Sequence, residues 1–100
     1  MISGFLNLES SNDGTTKKIS VFATEDGTGG METFQFTILN QVKTVQMNFA
    51  PNQGQQVTVV HTATGTGLVT VTATGSPQKS KRILDVDKIP GDTGTAPTAP

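Results

Sequence analysis

His61 is the single histidine of this 100-residue chain, and it lies in the stretch VTVVHTATGTGLVTVTATG at 57–75. A histidine can act as a general base or bind a metal ion near neutral pH. Catalysis by a nucleophile would need a partner, but the chain has no cysteine and no serine in a Gly-x-Ser-x-Gly turn. The alternating valines and threonines instead predict a strand, with His61 at the rim of a sheet and its ring tip near solvent. We therefore assign no catalytic role to His61.

Carboxylates are the other side chains that could do chemistry. Asp85 and Asp87 lie two residues apart on a predicted strand, so both point to one face and could bind a cation or form part of a glycosidase pair. Asp13 and the Glu25–Asp26 pair lie in glycine-containing segments, but neither matches an EF-hand loop or the calcium-binding nonapeptide. Solvated carboxylates beside the basic residues of 79–88 explain the pattern better. We predict no metal, no cofactor and no enzymatic activity.

The charge distribution excludes two classes of partner. Lys79, Lys81 and Arg82 form a short basic run that could contact phosphate, but Asp85 and Asp87 follow directly and make the local charge nearly neutral. The net charge is −1 and the pI is near 5.6, so no basic footprint for nucleic acid or membrane is present. No glycine-rich loop follows a strand and opens a helix, which leaves nucleotide binding unsupported.

The Thr70-x-Thr72-x-Thr74 ladder suggests one further chemistry. Regular threonine arrays on flat sheets resemble ice-binding faces, which need several ranks of Thr-x-Thr. This sequence contains one regular row of Thr-x-Thr on a single strand. The preference of β-branched threonine for strands accounts for that row.

Composition predicts a thin core and a single domain. Hydrophobic residues make up 33% of the chain, and tryptophan and tyrosine are absent. The start, MISGFLNLESSND, lacks the basic and apolar regions of a signal peptide, and no run approaches the roughly 20 apolar residues of a membrane span. We therefore expect synthesis in the cytoplasm.

Turn-forming clusters at 11–16 and 25–30 divide the chain into short alternating segments, which predict an all-β fold without helix. The pattern favours a small antiparallel β-sandwich of immunoglobulin-like type with about seven strands. The apolar faces of the clearest candidates are Ile2, Gly4, Leu6 and Leu8 in 2–8; Ile19, Val21 and Ala23 in 17–24; Phe34, Phe36 and Ile38 in 31–39; Val45, Met47 and Phe49 in 42–49; and Leu84 and Val86 in 79–88.

Two hairpins are predicted from matching faces. In the first, a two-residue Asn40-Gln41 loop closes at Leu39 and Val42, which pairs Phe36 with Val45 and Phe34 with Met47. In the second, the ribbon of 57–75 places Val59 opposite Val71, Val57 opposite Ala73 and His61 opposite Val69. Its loop must then hold an odd number of residues, such as Thr64-Gly65-Thr66. Thr58, Thr70, Thr72 and Thr74 form the outer face of this ribbon, with Val60 as an apolar exception.

The end of the chain has a different composition. We predict a sandwich domain at 1–88 and an extended Pro/Thr/Gly tail at 89–100, which cannot fold alone because it lacks large apolar side chains.

The whole chain resembles the small capsid decoration, or cement, proteins of tailed bacteriophages. The residues that carry the resemblance are TFQFTILNQVKTVQMNF, the valine–threonine stretch at 57–75 and the tail GDTGTAPTAP. The resemblance implies a non-enzymatic protein on the capsid exterior, made in the host cytoplasm, that bridges major capsid subunits and often forms homotrimers or uses an extended arm. The major capsid protein is then the partner. The contacts we predict are the loops 25–30 and 51–55 and the residues Ile2, Phe5, Leu6, Ile89, Pro90, Thr95, Pro97 and Pro100.

Two other classes of function stay open. An immunoglobulin-like binding module of a tail fibre or cell-surface protein would recognise protein or glycan, although the lack of tryptophan and tyrosine counts against a sugar site. A small hydrolase or metal-dependent enzyme would need a pocket with convergent polar groups, such as a cluster of His61 with Asp85 or Asp87.

Overall fold

The computed structural model describes residues 1–13, 16–39, 41–61, 66–76, 79–85 and 98–99. Within these ranges the chain forms strands joined by turns, and no helix occurs. No helix long and apolar enough to cross a membrane is therefore found in the described part. The strands are β1 (Ile2–Asp13), β2 (Thr16–Glu25), β3 (Gly30–Ile38), β4 (Gln41–Phe49), β5 (Gly54–His61), β6 (Thr66–Ala73), β7 (Lys79–Asp85) and β8 (Thr98–Ala99).

The described strands form two antiparallel sheets. The smaller sheet has the order β1-β2-β5, and the larger has the order β4-β3-β6-β7-β8. The prediction of an all-β antiparallel fold without helix is thus confirmed for the described residues.

Alternation along the strands builds the core between the sheets. Successive side chains of a strand point to opposite faces, so one residue in two is directed inward. The predicted apolar faces of β2, β3 and β4 are confirmed, with Val45 and Met47 half-buried against the core. The buried apolar residues are Ile2, Phe5, Leu8, Ile19, Val21, Ala23, Phe34, Phe36, Ile38, Phe49, Val57, Val59, Val69, Val71 and Ala73.

Phe34 is the centre of the aromatic packing. Its ring lies 6.3 Å from Phe5 in an edge-to-face arrangement and 5.8 Å from Phe49 in a tilted one. Such pairs add about 0.5–1.5 kcal/mol each beyond the area they bury. Phe5 belongs to the smaller sheet and Phe34 to the larger, so this cluster joins the two layers.

The predicted apolar face of the first strand is wrong. Ile2, Phe5 and Leu8 are buried, whereas Leu6 is 49% exposed. The pairing of β1 with β2 shifts between Ile2 and Gly4 and again between Leu6 and Glu9. Each shift inserts a residue as in a β-bulge, so the inward positions follow a spacing of three instead of two.

The register predicted for the β3–β4 hairpin is also wrong. Phe34 pairs with Val45 and Phe36 with Lys43, and Ile38 and Gln41 close the hairpin around residues 39–40. The shift amounts to two residues, so the inward faces are unchanged. Leu39 has φ of 54° and its amide donates to the Leu68 carbonyl at 3.4 Å. The neighbouring strand β6 thus holds the end of β3.

The predicted ribbon of 57–75 does not form as a hairpin. β5 pairs with β2 in the smaller sheet, and β6 pairs with β3 and β7 in the larger sheet. The proposed pairing of Val59 with Val71 is therefore wrong, because the chain crosses from one sheet to the other. The faces are nevertheless those predicted: Val57, Val59, Val69 and Val71 are buried, the described threonines lie outward, and Val60 is the exposed exception. Of the proposed loop, Thr64 and Gly65 lie outside the described residues, and Thr66 begins β6.

The last predicted strand and the tail are described in part. β7 lies within the predicted segment 79–88, but the faces assigned to Leu84 and Val86 lie outside the described side chains. Of the tail at 89–100, the structure describes Thr98–Ala99, which pair with Ser80 and Lys79 of β7.

We predict that Phe34→Ala lowers the free energy of unfolding by about 3–5 kcal/mol, because it leaves a cavity between the two sheets. Urea unfolding followed by circular dichroism measures the change. Met31→Ala is the control on the same strand, since Met31 is 62% exposed and surface changes stay within about 0.5 kcal/mol. Equal losses for the two variants would contradict the assignment of Phe34 to the core.

Candidate functional site

The outer face of β4, β3 and β6 carries no charged side chain at any of its described positions. Inward and outward residues alternate along all three strands, so the outward set follows from burial. We call this set the uncharged face. It consists of Met31, Thr33, Gln35 and Thr37 of β3; Val42, Thr44, Gln46 and Asn48 of β4; and Leu68, Thr70 and Thr72 of β6, with Thr74 directly after it.

Strand register arranges these side chains in rows. Gln35 lies between Thr44 on β4 and Thr72 on β6. Thr37 lies in the same way between Val42 and Thr70. The centre of the face is therefore an array of hydroxyl, amide and methyl groups in adjacent rows.

One side-chain hydrogen bond links two strands within the array. Gln46 Nε2 donates to Thr33 Oγ1 at 3.1 Å. Cross-strand pairs of this kind stabilise a sheet by a few tenths of a kcal/mol to about 1 kcal/mol. The face is thus partly ordered by its own contacts.

Large apolar side chains lie around the polar centre. Met31 is 62% exposed, Val42 56% and Leu68 54%. A surface with few charged residues and with exposed apolar and neutral polar groups is typical of the centre of a protein–protein interface. Solvated sheet faces usually carry charges, so this face is suited to contact with another surface.

The dimensions of the uncharged face limit what it can bind alone. Three strands about 4.8 Å apart and eight residues long at about 3.4 Å per residue cover on the order of 400 Å². A stable protein interface takes about 800 Å² from each partner. The face can therefore be the centre of a larger contact. Lys81 and Lys79 of β7 lie next to it in register, opposite Thr70 and Thr72.

The outer face of the smaller sheet differs in character. Leu6 and Phe22 lie directly opposite each other and are exposed. The Phe22 ring covers Gly54 so closely that a Cβ there would require the ring to shift. An aromatic ring over a glycine compensates for the missing side chain. On the same sheet Lys18 pairs with Val60 and Glu9 with Ser20, so charged residues are interspersed.

A second cluster holds the buried acidic side chains of the described part. The α-ammonium of Met1 lies 2.6 Å from Glu25 Oε1, 2.7 Å from Glu32 Oε2 and 3.3 Å from Asp26 Oδ1. The Glu25 side chain is 0% exposed and that of Glu32 6%. Glu25 ends β2 and Glu32 lies on β3, so the ammonium joins the two sheets at one end of the sandwich.

This geometry shifts each pKa in a defined direction. Hydrogen bonds to Glu25, and then to Glu32, raise the pKa of the Met1 amine from 8.0 to about 11. Burial acts to raise the pKa of Glu25, but hydrogen bonds with Glu32 and the ammonium lower it overall. Burial and the bond with Glu25 raise the pKa of Glu32. Glu25 is therefore the ionised member of the pair, and Glu32 retains its proton more readily.

The two loops predicted as contacts lie together beside this cluster. The Asn52 amide donates to the Asp26 carbonyl at 2.8 Å, and the Glu25 amide donates to the Gln53 carbonyl at 2.8 Å. Gly29 has φ of 71° and lies so close to Pro51 that a Cβ would crowd the proline ring. The loops 25–30 and 51–55 thus form one continuous surface.

The other predicted site residues are distributed as follows. Ile2 and Phe5 lie inside the core of the domain, and of the first three predicted contacts Leu6 is exposed. His61 is 3% exposed at the end of β5, so the expectation of a ring tip near solvent is wrong: the inward alternation of β5 encloses the ring. Ile89, Pro90, Thr95, Pro97 and Pro100 lie outside the described residues, as does Asp87.

The described residues contain no group of three or more metal-binding side chains and no pocket. The side chains of Asp13 and Asp85 are not among those described. The predicted pairing of His61 with Asp85 or Asp87 therefore lies outside the described side chains.

We predict that stability decreases as the pH rises from 8 to 11. The amine pKa is raised from 8.0 to about 11, so its contribution is complete below pH 8 and is lost as the folded chain deprotonates. The measurement is Tm against pH for the free and the Nα-acetylated chain. Lysines titrate in both samples, so the difference isolates the amine. Parallel curves would contradict the ion pairs.

The two glutamates should respond differently to the same substitution. We predict that Glu25→Gln lowers the free energy of unfolding by about 2 kcal/mol, because a charged hydrogen-bond acceptor is lost from a buried position. Glu32→Gln should lower it by less, since the amide can still accept from the ammonium and donate to Glu25. Urea unfolding at pH 7 measures both. A larger loss of unfolding free energy for Glu32→Gln than for Glu25→Gln would overturn the assignment of Glu25 as the ionised glutamate.

No protein-family model, curated protein or solved structure matches this chain. The functional assignment therefore depends on the residues themselves and on the surfaces that they form.

Proposed function

We propose that this chain is a non-enzymatic structural domain that binds a protein surface through its uncharged face. Specifically, it decorates and stabilises the exterior of a bacteriophage capsid by bridging major capsid subunits. The observation that carries the proposal is the absence of charge across the described outward positions of β3, β4 and β6. The resemblance in size, composition and strand pattern supplies the setting.

The physical case depends on the cost of removing water. A charged group that loses its water without a partner makes association unfavourable, and the uncharged face has no such group. Threonine hydroxyls can rotate to donate or accept, so they fit many neighbouring backbones. Met31, Val42 and Leu68 add apolar area around this centre. A broad, flat protein surface is the partner that suits these properties.

Further parts of the proposal concern architecture and assembly. The sandwich is of immunoglobulin-like type with about seven strands, and the tail 89–100 acts as an arm along a neighbouring subunit. Homotrimers formed on the shell would multiply the small contact area, since linked contacts act together. The loop surface of 25–30 and 51–55, together with Leu6, provides secondary contacts.

Sedimentation of an extract from the native source tests the setting. Recovery of the chain with particles of megadalton size supports a capsid location. Recovery in the light fraction alone contradicts it and favours the free binding module of a fibre or cell surface.

Two matched substitutions test the face. We predict that Gln35→Glu weakens binding to capsid shells at least about tenfold, equivalent to about 1.4 kcal/mol, because it places an unpaired charge at the interface centre. Gln56→Glu is the control: the same change lies at an exposed position of β5, opposite Phe22 on the other sheet, and should alter affinity less than twofold. Quantitative co-sedimentation measures both. Equal effects would remove the uncharged face as the binding surface.

A further inference from the structure

The α-amino group of Met1 is part of the contact between the two sheets. Its nitrogen lies 2.6 Å from Glu25 Oε1 and 2.7 Å from Glu32 Oε2. It also donates to Thr28 Oγ1 at 3.2 Å. The carbonyl of the same residue accepts a bond from the Asp26 amide at 2.9 Å. Both polar groups of residue 1 are therefore held by the segment 25–32.

The following residue extends this contact to the larger sheet. The Ser76 hydroxyl donates to the Ile2 carbonyl. Ser76 comes after β6, and Ile2 itself is fully buried. The first two residues thus connect β1 with the turn after β2, with β3 and with the turn after β6.

The charge of the amine compensates for the burial of the carboxyls. Glu25 and Glu32 are almost fully enclosed, and an unpaired carboxylate at such a position is strongly unfavourable. An ammonium has three N–H donors and a full charge. An amide nitrogen at the same place has one N–H and no charge, so it cannot serve these acceptors.

We propose that the α-amine of Met1 is a modification-sensitive site: the sandwich closes at this end when the amine is free, and opens there when the amine is acylated or carries preceding residues. Cleavage that exposes the amine closes the structure. Acylation by an activated acyl donor, such as a thioester, has the reverse effect. In that step the ammonium loses a proton, the nitrogen forms a bond to the acyl carbon, and the donor's thiol leaves with a proton.

A double-mutant cycle separates this charge effect from crowding. The four chains carry or lack a Gly-Ser extension before Met1, in the natural background and in the Glu25→Gln/Glu32→Gln background. We expect the extension to lower Tm by at least about 5 °C in the natural background and by less than about 2 °C in the double-glutamine background. Equal losses in both, or no loss in either, would overturn the proposal.

A second measurement needs no substituted chain. The unsubstituted 100-residue chain with a free Met1 amine is treated at pH 8 with an acetyl ester of N-hydroxysuccinimide, and acylation at Met1 is timed by peptide mass spectrometry. A peptide of residues 1–10 gives the unprotected rate, and Lys43 serves as an internal control. We expect the folded chain to react at least about 100-fold more slowly at Met1, and to lose thermal stability once acylated. A rate equal to that of the peptide would overturn the proposal.

Discussion

The two sheets are held together by one thin layer of apolar side chains, and the rest of the structure depends on it. With no tryptophan or tyrosine, the layer relies on close packing of Phe34 with Phe5 and Phe49. Nearly every inward position of β2, β3 and β6 is used for this purpose. The outward positions of the same strands carry no part of the core, so their residue types can be set by other requirements. The uncharged face is formed from those of β3 and β6, together with the outward positions of β4.

Charge is distributed in a way that fits this division. The described outward positions of β3, β4 and β6 are neutral, whereas Glu25 and Glu32 lie buried at one end of the sandwich and are compensated by a single ammonium. A buried ion pair adds little net stability compared with apolar packing, but it penalises any arrangement that leaves a partner alone. The cluster therefore contributes little to net stability and mainly restricts how β1, β2 and β3 pack together.

Part of this architecture could be predicted from the sequence, and the failures have physical causes. Alternation identified the apolar faces of β2, β3 and β4, because period-two burial is a local property. It failed in β1, where two bulges change the spacing, and at Val59 and Val71, where adjacency in sequence does not decide which strands pair. The uncharged face was missed because it needs three strands side by side. The acidic cluster could have been found in the sequence. Glu25 and Glu32 each occupy an alternate position that continues the inward-facing apolar residues of β2 and β3.

The crossing from β5 to β6 also determines how the chain reaches this structure. Ile19 pairs with Val59 and Phe36 with Val71, so each sheet is completed by a strand distant in sequence. The β3–β4 hairpin is local in sequence and can form early. Neither sheet is complete until β5 has reached β2 and β6 has reached β3, which closes two long segments of chain. Folds dominated by such pairings reach the native state in milliseconds to seconds. During that interval the edges of β2 and β3 are unpaired, and nascent chains at high concentration have an opportunity to associate with one another.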